Sequence, residues 1–223
     1  MDRHQFSKFS NWFDSLTEEQ WKKLSSNTVC ITYNKGETIC KQGSFANTIF
    51  FVAKGVQKIY KEYHGQNLIV KFSQKGEMVG LSSMYNSNIQ QYTVASVCES
   101  VLYAFNVDIV KEIIRANADF AEHIISCLNA EQEEIMERTL SLTQKQLHGR
   151  LADAVIYLAR RIYRSDNFTL QVTRRDMADF CGTSTESAIR ILKEFHDDKI
   201  IQVEGKHLKI ISNELLERLS EIG

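Results

Sequence analysis

The chain has 223 residues, 43% of them hydrophobic and 25% charged, with a net charge of −1. These totals suit a soluble globular protein with room for one large or two modest domains, and they exclude a global basic field that would by itself attract nucleic acid. No run approaches the ~18 to 20 apolar residues of a membrane span, and the polar stretch from Met1 to Phe13 lacks the apolar core of a signal peptide. The five cysteines, Cys30, Cys40, Cys98, Cys127 and Cys181, are scattered and in no CxxC or CxH spacing. They argue against a disulfide framework or a zinc site and for a reducing cytoplasm.

Residues 2–26 read as amphipathic helix. Phe6, Phe9, Trp12, Phe13, Leu16, Trp21 and Leu24 recur at helical spacing, and Ser15 to Glu19 supply capping chemistry. From Val29 to Phe105 the texture changes to short strands, at 29–33, 48–52, 56–60, 68–72, 92–97 and 101–105. Glycines at 36, 43, 55, 65, 76 and 80 punctuate them, which predicts an antiparallel, jelly-roll-like β-roll with His64-Gly65 at a hairpin tip. A short helix follows at 107–115, then a long one at 118–146. On the long helix Ala121, Ile124, Leu128, Ile135 and Leu142 form a stripe suited to a two-helix seam, interrupted by Glu131 and Arg138. The competing expectation is that this helix packs only on its own roll. Gly149 marks a break before an amphipathic helix at 150–164, and a short strand at 169–172 comes next.

Residues 173–192 predict two short helices with a tight turn. Met177, Cys181, Ala188 and Ile191 are spaced to face inward, Gly182 suits the left-handed end of the first helix, and Thr183 or Ser184 can cap the second. That is a helix-turn-helix, whose second helix offers Thr185, Glu186, Ser187 and Arg190 to a major groove. Thr173, Arg174, Ser184, Ser187 and Lys193 are placed for phosphates. From Lys145 onward thirteen Lys or Arg stand against twelve Asp or Glu, so affinity for DNA must come from local clustering. A hairpin at 200–211, turning at Glu204-Gly205-Lys206, is placed as a wing, and a last helix covers 213–222. The expected class is α+β: a β-roll domain at 1–115, a long dimerisation helix at 116–146 and a winged helix-turn-helix at 147–223.

Three local matches give this order a family likeness: Lys35-Gly36-Glu37 with Gln42-Gly43 and Phe51 to Val56; Gly76-Glu77-Met78-Val79-Gly80; and Gly182 to Leu192. Together the chain resembles the Crp/Fnr family of bacterial transcription regulators over essentially its full length. The resemblance implies a homodimer reading an inverted-repeat operator in double-stranded DNA, with RNA polymerase as a further partner and no membrane. It also implies base contacts from Glu186 and Arg190, a carboxylate for cytosine N4 and a guanidinium for guanine O6 and N7. Many members carry an Arg where this chain has Thr185, so its half-site should differ from that of the cyclic-AMP receptor.

For the signal, the resemblance implies a pocket around Gly80, Leu81, Ser82, Gln91, Tyr92 and Thr93, facing Ile135 and Met136 on the long helix. Cyclic-nucleotide binders of the family place a Glu after the glycine matching Gly80 and an Arg-Ser pair about eleven residues on. This chain has Leu81, then Gln91-Tyr92-Thr93. A buried phosphate monoanion without a cation is strongly unfavourable, so cyclic AMP is rejected as effector. The iron–sulfur version needs an N-terminal cysteine cluster, and residues 1–29 have no cysteine. A haem sensor is the alternative reading, with His4, His64, His123, His148, Cys30 or Cys127 as possible axial ligands, though no spacing selects one. No cofactor and no metal site is assigned. A cupin-like metalloenzyme is the remote alternative; the roll has a single histidine, His64, and lacks the clustered HxH and Glu set such enzymes share. An enzymatic function is not expected.

Overall fold

In the computed structural model, which describes residues 11–85 and 88–223, the chain forms two compact units. The first contains the described residues up to Ile59 together with Ser73–Glu133, and the second contains Tyr60–Phe72 and Glu134–Gly223. Phe6, Phe9 and His4 lie outside the described residues.

Among the described residues eight strands build the roll: β1 (Thr28–Tyr33), β2 (Thr38–Cys40), β3 (Thr48–Lys54), β4 (Val56–Tyr63), β5 (Gln66–Gln74), β6 (Met78–Val79), β7 (Thr93–Ser96) and β8 (Ser100–Asn106). They form two four-stranded sheets, ordered β1-β8-β3-β6 and β2-β7-β4-β5. β1 and β3 both pair antiparallel with β8. Periodicity does not show β2 or β6, because three and two residues are too short for a period of two, and the stretch Gly76 to Gly80 that holds β6 reads as strand only through the family likeness. His64 and Gly65, both at positive φ, do form the two-residue link between β4 and β5.

Ahead of β1, Thr17 caps α1 (Glu18–Ser26) through a capping box with Gln20. The aromatic residues here are core rather than surface. Phe13 is fully buried, and its ring centroid lies 5.4 Å from Phe51, 5.7 Å from Phe105 and 5.7 Å from Trp21. Trp12, Leu16, Trp21 and Leu24 join the same cluster. This segment therefore packs into the roll's apolar interior, but helix is limited among the described residues to a turn at Asn11–Phe13 and α1, with Asp14 to Thr17 between them not helical.

Beyond β8 come α2 (Val107–Ala116) and α3 (Ala118–Gln144). At 1.5 Å per residue, the 27 residues of α3 extend about 40 Å. The stripe expected to make a seam is divided. Ile124 is buried and Leu128 half-buried against the roll's own core, beside Phe120. Ala121, Ile135 and Leu142 are half-buried. A different line of α3 is open: Ile125 is 58%, Met136 56% and Leu140 54% exposed. Asn129, Gln132 and Thr143, also exposed, fill in the same spacing.

In the second unit α4 (Leu147–Tyr157) runs on through a π-helical turn, Leu158–Tyr163, to Arg164 in the left-handed region. Gly149 does not break this helix. A Cβ there would sit 2.7 Å from the Gly223 carbonyl carbon, so the missing side chain admits the end of the last helix instead. Next come β9 (Asn167–Thr169), α5 (Arg174–Cys181), α6 (Thr185–Asp197), β10 (Ile201–Glu204), β11 (His207–Ile210) and α7 (Asn213–Ile222). The last three strands form an antiparallel sheet ordered β10-β11-β9, with Ile201 opposite Ile210.

Candidate nucleic-acid interface

The second unit fixes α5 and α6 from behind. Met177, Ala178, Phe180 and Cys181 of α5 and Ala188, Ile191, Leu192 and Phe195 of α6 are buried. Thr173 Oγ1 accepts the Asp176 N–H at 3.0 Å, and Asp176 Oδ2 accepts the Thr173 N–H at 2.8 Å, closing a capping box on α5. Gly182 takes φ 58° at the end of α5, a conformation that costs glycine little. One residue separates it from Ser184, whose Oγ accepts the Ser187 N–H at 3.1 Å and caps α6.

With Ala188, Ile191, Leu192 and Phe195 turned inward, α6 presents Glu186, Ile189, Arg190 and Lys193 outward, all exposed. Thr185 and Ser187 are half-buried. An i, i+4 pair between Glu186 and Arg190 does not form. Arg190 Nη1 instead reaches Glu194 Oε1 at 2.6 Å, and the other oxygen of Glu194 lies 2.8 Å from His148 Nε2. His148 foremost, then Arg190, hold the Glu194 carboxyl below its usual range. Glu186 has no hydrogen bond or ion pair among the described residues, and its carboxylate is free for a donor.

Of the residues expected at phosphates, Thr173 and Ser184 spend their hydroxyls on caps. Arg174 Nη2 donates to Gly205 O in the wing turn at 3.1 Å, and burial lowers its pKa. Lys193 points to solvent. Sequence reading passed over Ile189, which is 48% exposed beside Arg190. The signal was present, because 189 falls outside the inward spacing 188, 191, 192, 195. A branched aliphatic side chain held in water at that place can meet a thymine methyl.

Two family models match the chain in order: the cyclic nucleotide-binding domain over residues 30–117 and the Crp-like helix-turn-helix domain over residues 149–219. The fumarate and nitrate reduction regulatory protein of Yersinia pestis is 27% identical over 83% of this chain and 76% of its own length. The cAMP-activated global transcriptional regulator CRP of Salmonella typhimurium is 23% identical over 80% and 87%. Among solved structures, FixK2 from Bradyrhizobium japonicum superposes with a TM-score of 0.80 at 20% identity, covering 86% of this chain and 96% of that one. The chain belongs to the Crp/Fnr family. It is a transcription regulator of that type, and such regulators bind DNA and function as dimers.

In this Crp/Fnr chain the residues expected at an effector pocket have unequal fates. Gly80 is left-handed and opens a one-turn helix, Leu81–Ser83. Leu81 is buried in the roll's apolar cluster. Thr93 is buried, and its Oγ1 accepts the Gln42 N–H at 3.0 Å. Ser83 ties the two segments by accepting the Gln91 N–H at 3.3 Å. Ser82 is exposed, and Gln91 and Tyr92 are half-buried. Burial, and then the Glu131 carboxylate of α3, push the Tyr92 phenol upward. Ile135 and Met136 fall in the second unit, half-buried and exposed respectively.

The possible haem ligands are placed separately. His64 is at the β4–β5 tip, Cys30 is exposed on β1, and His148 is bound to Glu194. His123 packs edge-on against Trp12 at 4.5 Å, with Cys127 Sγ 3.8 Å from its Nε2. Burial raises the Cys40 thiol to about 11 and the Cys181 thiol to about 12, which leaves neither a thiolate at neutral pH. Among the described residues no three His, Cys, Asp or Glu side chains gather as a metal site, and no helix is long and apolar enough to cross a membrane.

Proposed function

We propose that the protein is a homodimeric, sequence-specific DNA-binding regulator of the cytoplasm, controlled by a small-molecule or redox signal other than cyclic AMP. The observation that carries the reading is the exposed row Glu186, Ile189, Arg190 and Lys193 on a capped helix whose opposite face is wholly buried. Glu186 accepts from cytosine N4, Arg190 leaves Glu194 to grip a guanine, and Lys193 meets phosphate. Thr185 supplies no second guanidinium, so the operator differs from that of regulators with Arg there. Two copies pair along the open line of α3 through Ile125, Met136 and Leu140, and thereby bring two recognition helices to an inverted repeat. RNA polymerase is the partner through which the bound dimer acts.

The roll supports the exclusion of cyclic AMP. Leu81 is committed to the core where nucleotide binders need a carboxylate, and Gln91 to Thr93 carry no cation. A mobility-shift titration against the chain's own promoter region tests the reading. Binding should weaken steeply as salt rises, and sedimentation should give a dimer that Leu140→Glu splits. Salt-insensitive or absent binding under both oxidising and reducing conditions would remove it.

A further inference from the structure

The second unit contains a cleft of about 680 Å³ that the DNA-reading face does not use. Val70, Ile156, Tyr157 and Phe180 give it an apolar wall, and Arg138 is set into that wall. The volume and the mixed lining are those of a small-molecule site.

Arg138 is the anomaly. It is only 8% exposed, and its guanidinium carbon lies 3.7 Å from the centre of the Phe180 ring. Nη1 makes one long contact, 3.5 Å to Ser141 Oγ, while Nε and Nη2 have no partner among the described residues. Burial lowers its pKa, the sign of a cation held where water cannot serve it.

The nearest carboxylate is oversubscribed. Asp153 accepts from Ser141 at 2.5 Å, from Lys145 at 2.8 Å and from Ser220. Arg150 adds a third cation nearby. Its Nη1 donates to Cys181 O at 3.0 Å, and its Nε is also buried without a partner. The cleft is also lined by Glu134, Glu137, Glu217 and Glu221. Glu134 accepts from the Tyr157 hydroxyl at 2.6 Å and lies 3.6 Å from Arg161, and Glu217 pairs with Arg160. Glu137 and Glu221 stand at the exposed rim. Arg138 thus meets a carboxylate already shared by Lys145 and two serines, and its two buried, unpartnered donors call for an anionic acceptor.

The geometry points to a small organic carboxylate with an apolar or aromatic body, its two oxygens on the Nε–Nη2 edge of Arg138 and its body along Val70, Ile156 and Phe180. A planar carboxylate matches that edge with two parallel hydrogen bonds. The edge is buried, so the ligand enters by shifting the side chains around it. Inorganic phosphate shares the charge and leaves the apolar wall uncovered. Occupancy would join the end of α3 to Phe180 in the first helix of the DNA reader. That consequence rests on the regulator reading, whereas the binding itself does not.

The test uses the full chain with three probes: 4-phenylbutyrate, its uncharged amide, and inorganic phosphate. At millimolar concentration 4-phenylbutyrate should raise the melting temperature and shift the ring resonances of Tyr157 and Phe180, and the amide should do neither. Arg138→Met should abolish the response and Arg138→Lys should weaken it. Should the Met variant not fold, the ring shifts of the natural chain still decide. No ring shift with 4-phenylbutyrate, an equal response to the amide, or a response from phosphate alone overturns the proposal. A ligand response without any operator binding would sink the regulator reading and leave this site standing.

Discussion

The DNA-reading helices and the turn from Gly80 to Thr93 were expected to carry output and input, and they use their residues in opposite ways. In α5 and α6 the buried and the exposed positions are different residues, so Ala188 and Ile191 hold the helix while Glu186 and Arg190 stand at the surface. In the turn the residues expected at a pocket are spent on structure. Leu81 is core, Thr93 satisfies a backbone amide, and Ser83 accepts the Gln91 N–H that ties the two segments. A helix separates structure from function by its periodicity, and a turn of irregular backbone does not.

The contrast breaks most decisively at Leu81. As a core residue, Leu81→Ala should cost about 2 to 5 kcal/mol in urea unfolding, while Ser82→Ala should stay within about 0.5 kcal/mol. Equal, small losses would mean that Leu81 faces a pocket after all. On the output side the effect should appear in binding rather than folding. Arg190→Ala is expected to lose about 1 to 3 kcal/mol on the operator and to relax preference at one base pair. Uniform loss on all sequences would make Arg190 a phosphate contact. Ser184→Ala removes the acceptor for the Ser187 N–H and should cost about 1 kcal/mol of stability. No change there would mean that water replaces the cap.

Much of this was legible in the chain. Strand texture, glycine turns and the helix-turn-helix spacing were read from local pattern, and the roll and the wing stand where that pattern placed them. What failed has a physical cause in each case. The α3 stripe was read as a seam because periodicity shows that a face is apolar and not what covers it, and Ile124 found the roll's own core. Gly149 was read as a break because a glycine admitting close packing looks, in sequence, like a glycine ending a helix. Arg138 looked like an interruption of the seam, and only three dimensions showed it buried on Phe180.

The smallest effect probes how the reading arginine is stored. Arg190 rests on Glu194, which His148 also holds, so the carboxyl of Glu194 lies below its ordinary value of 4.5. A depressed carboxylate contributes stability that is present in full above the unfolded value and is lost as pH falls through the folded one. Glu194→Gln should therefore be slightly less stable than the natural chain at neutral pH, and the difference should vanish in acid well below pH 4.5. The exposed setting keeps that difference small. Because the same substitution frees Arg190 from its resting partner, operator affinity should be unchanged or slightly tighter. A weaker complex would show that Glu194 positions the guanidinium for the base instead of holding it back, and the reader would then be a three-residue device of His148, Glu194 and Arg190.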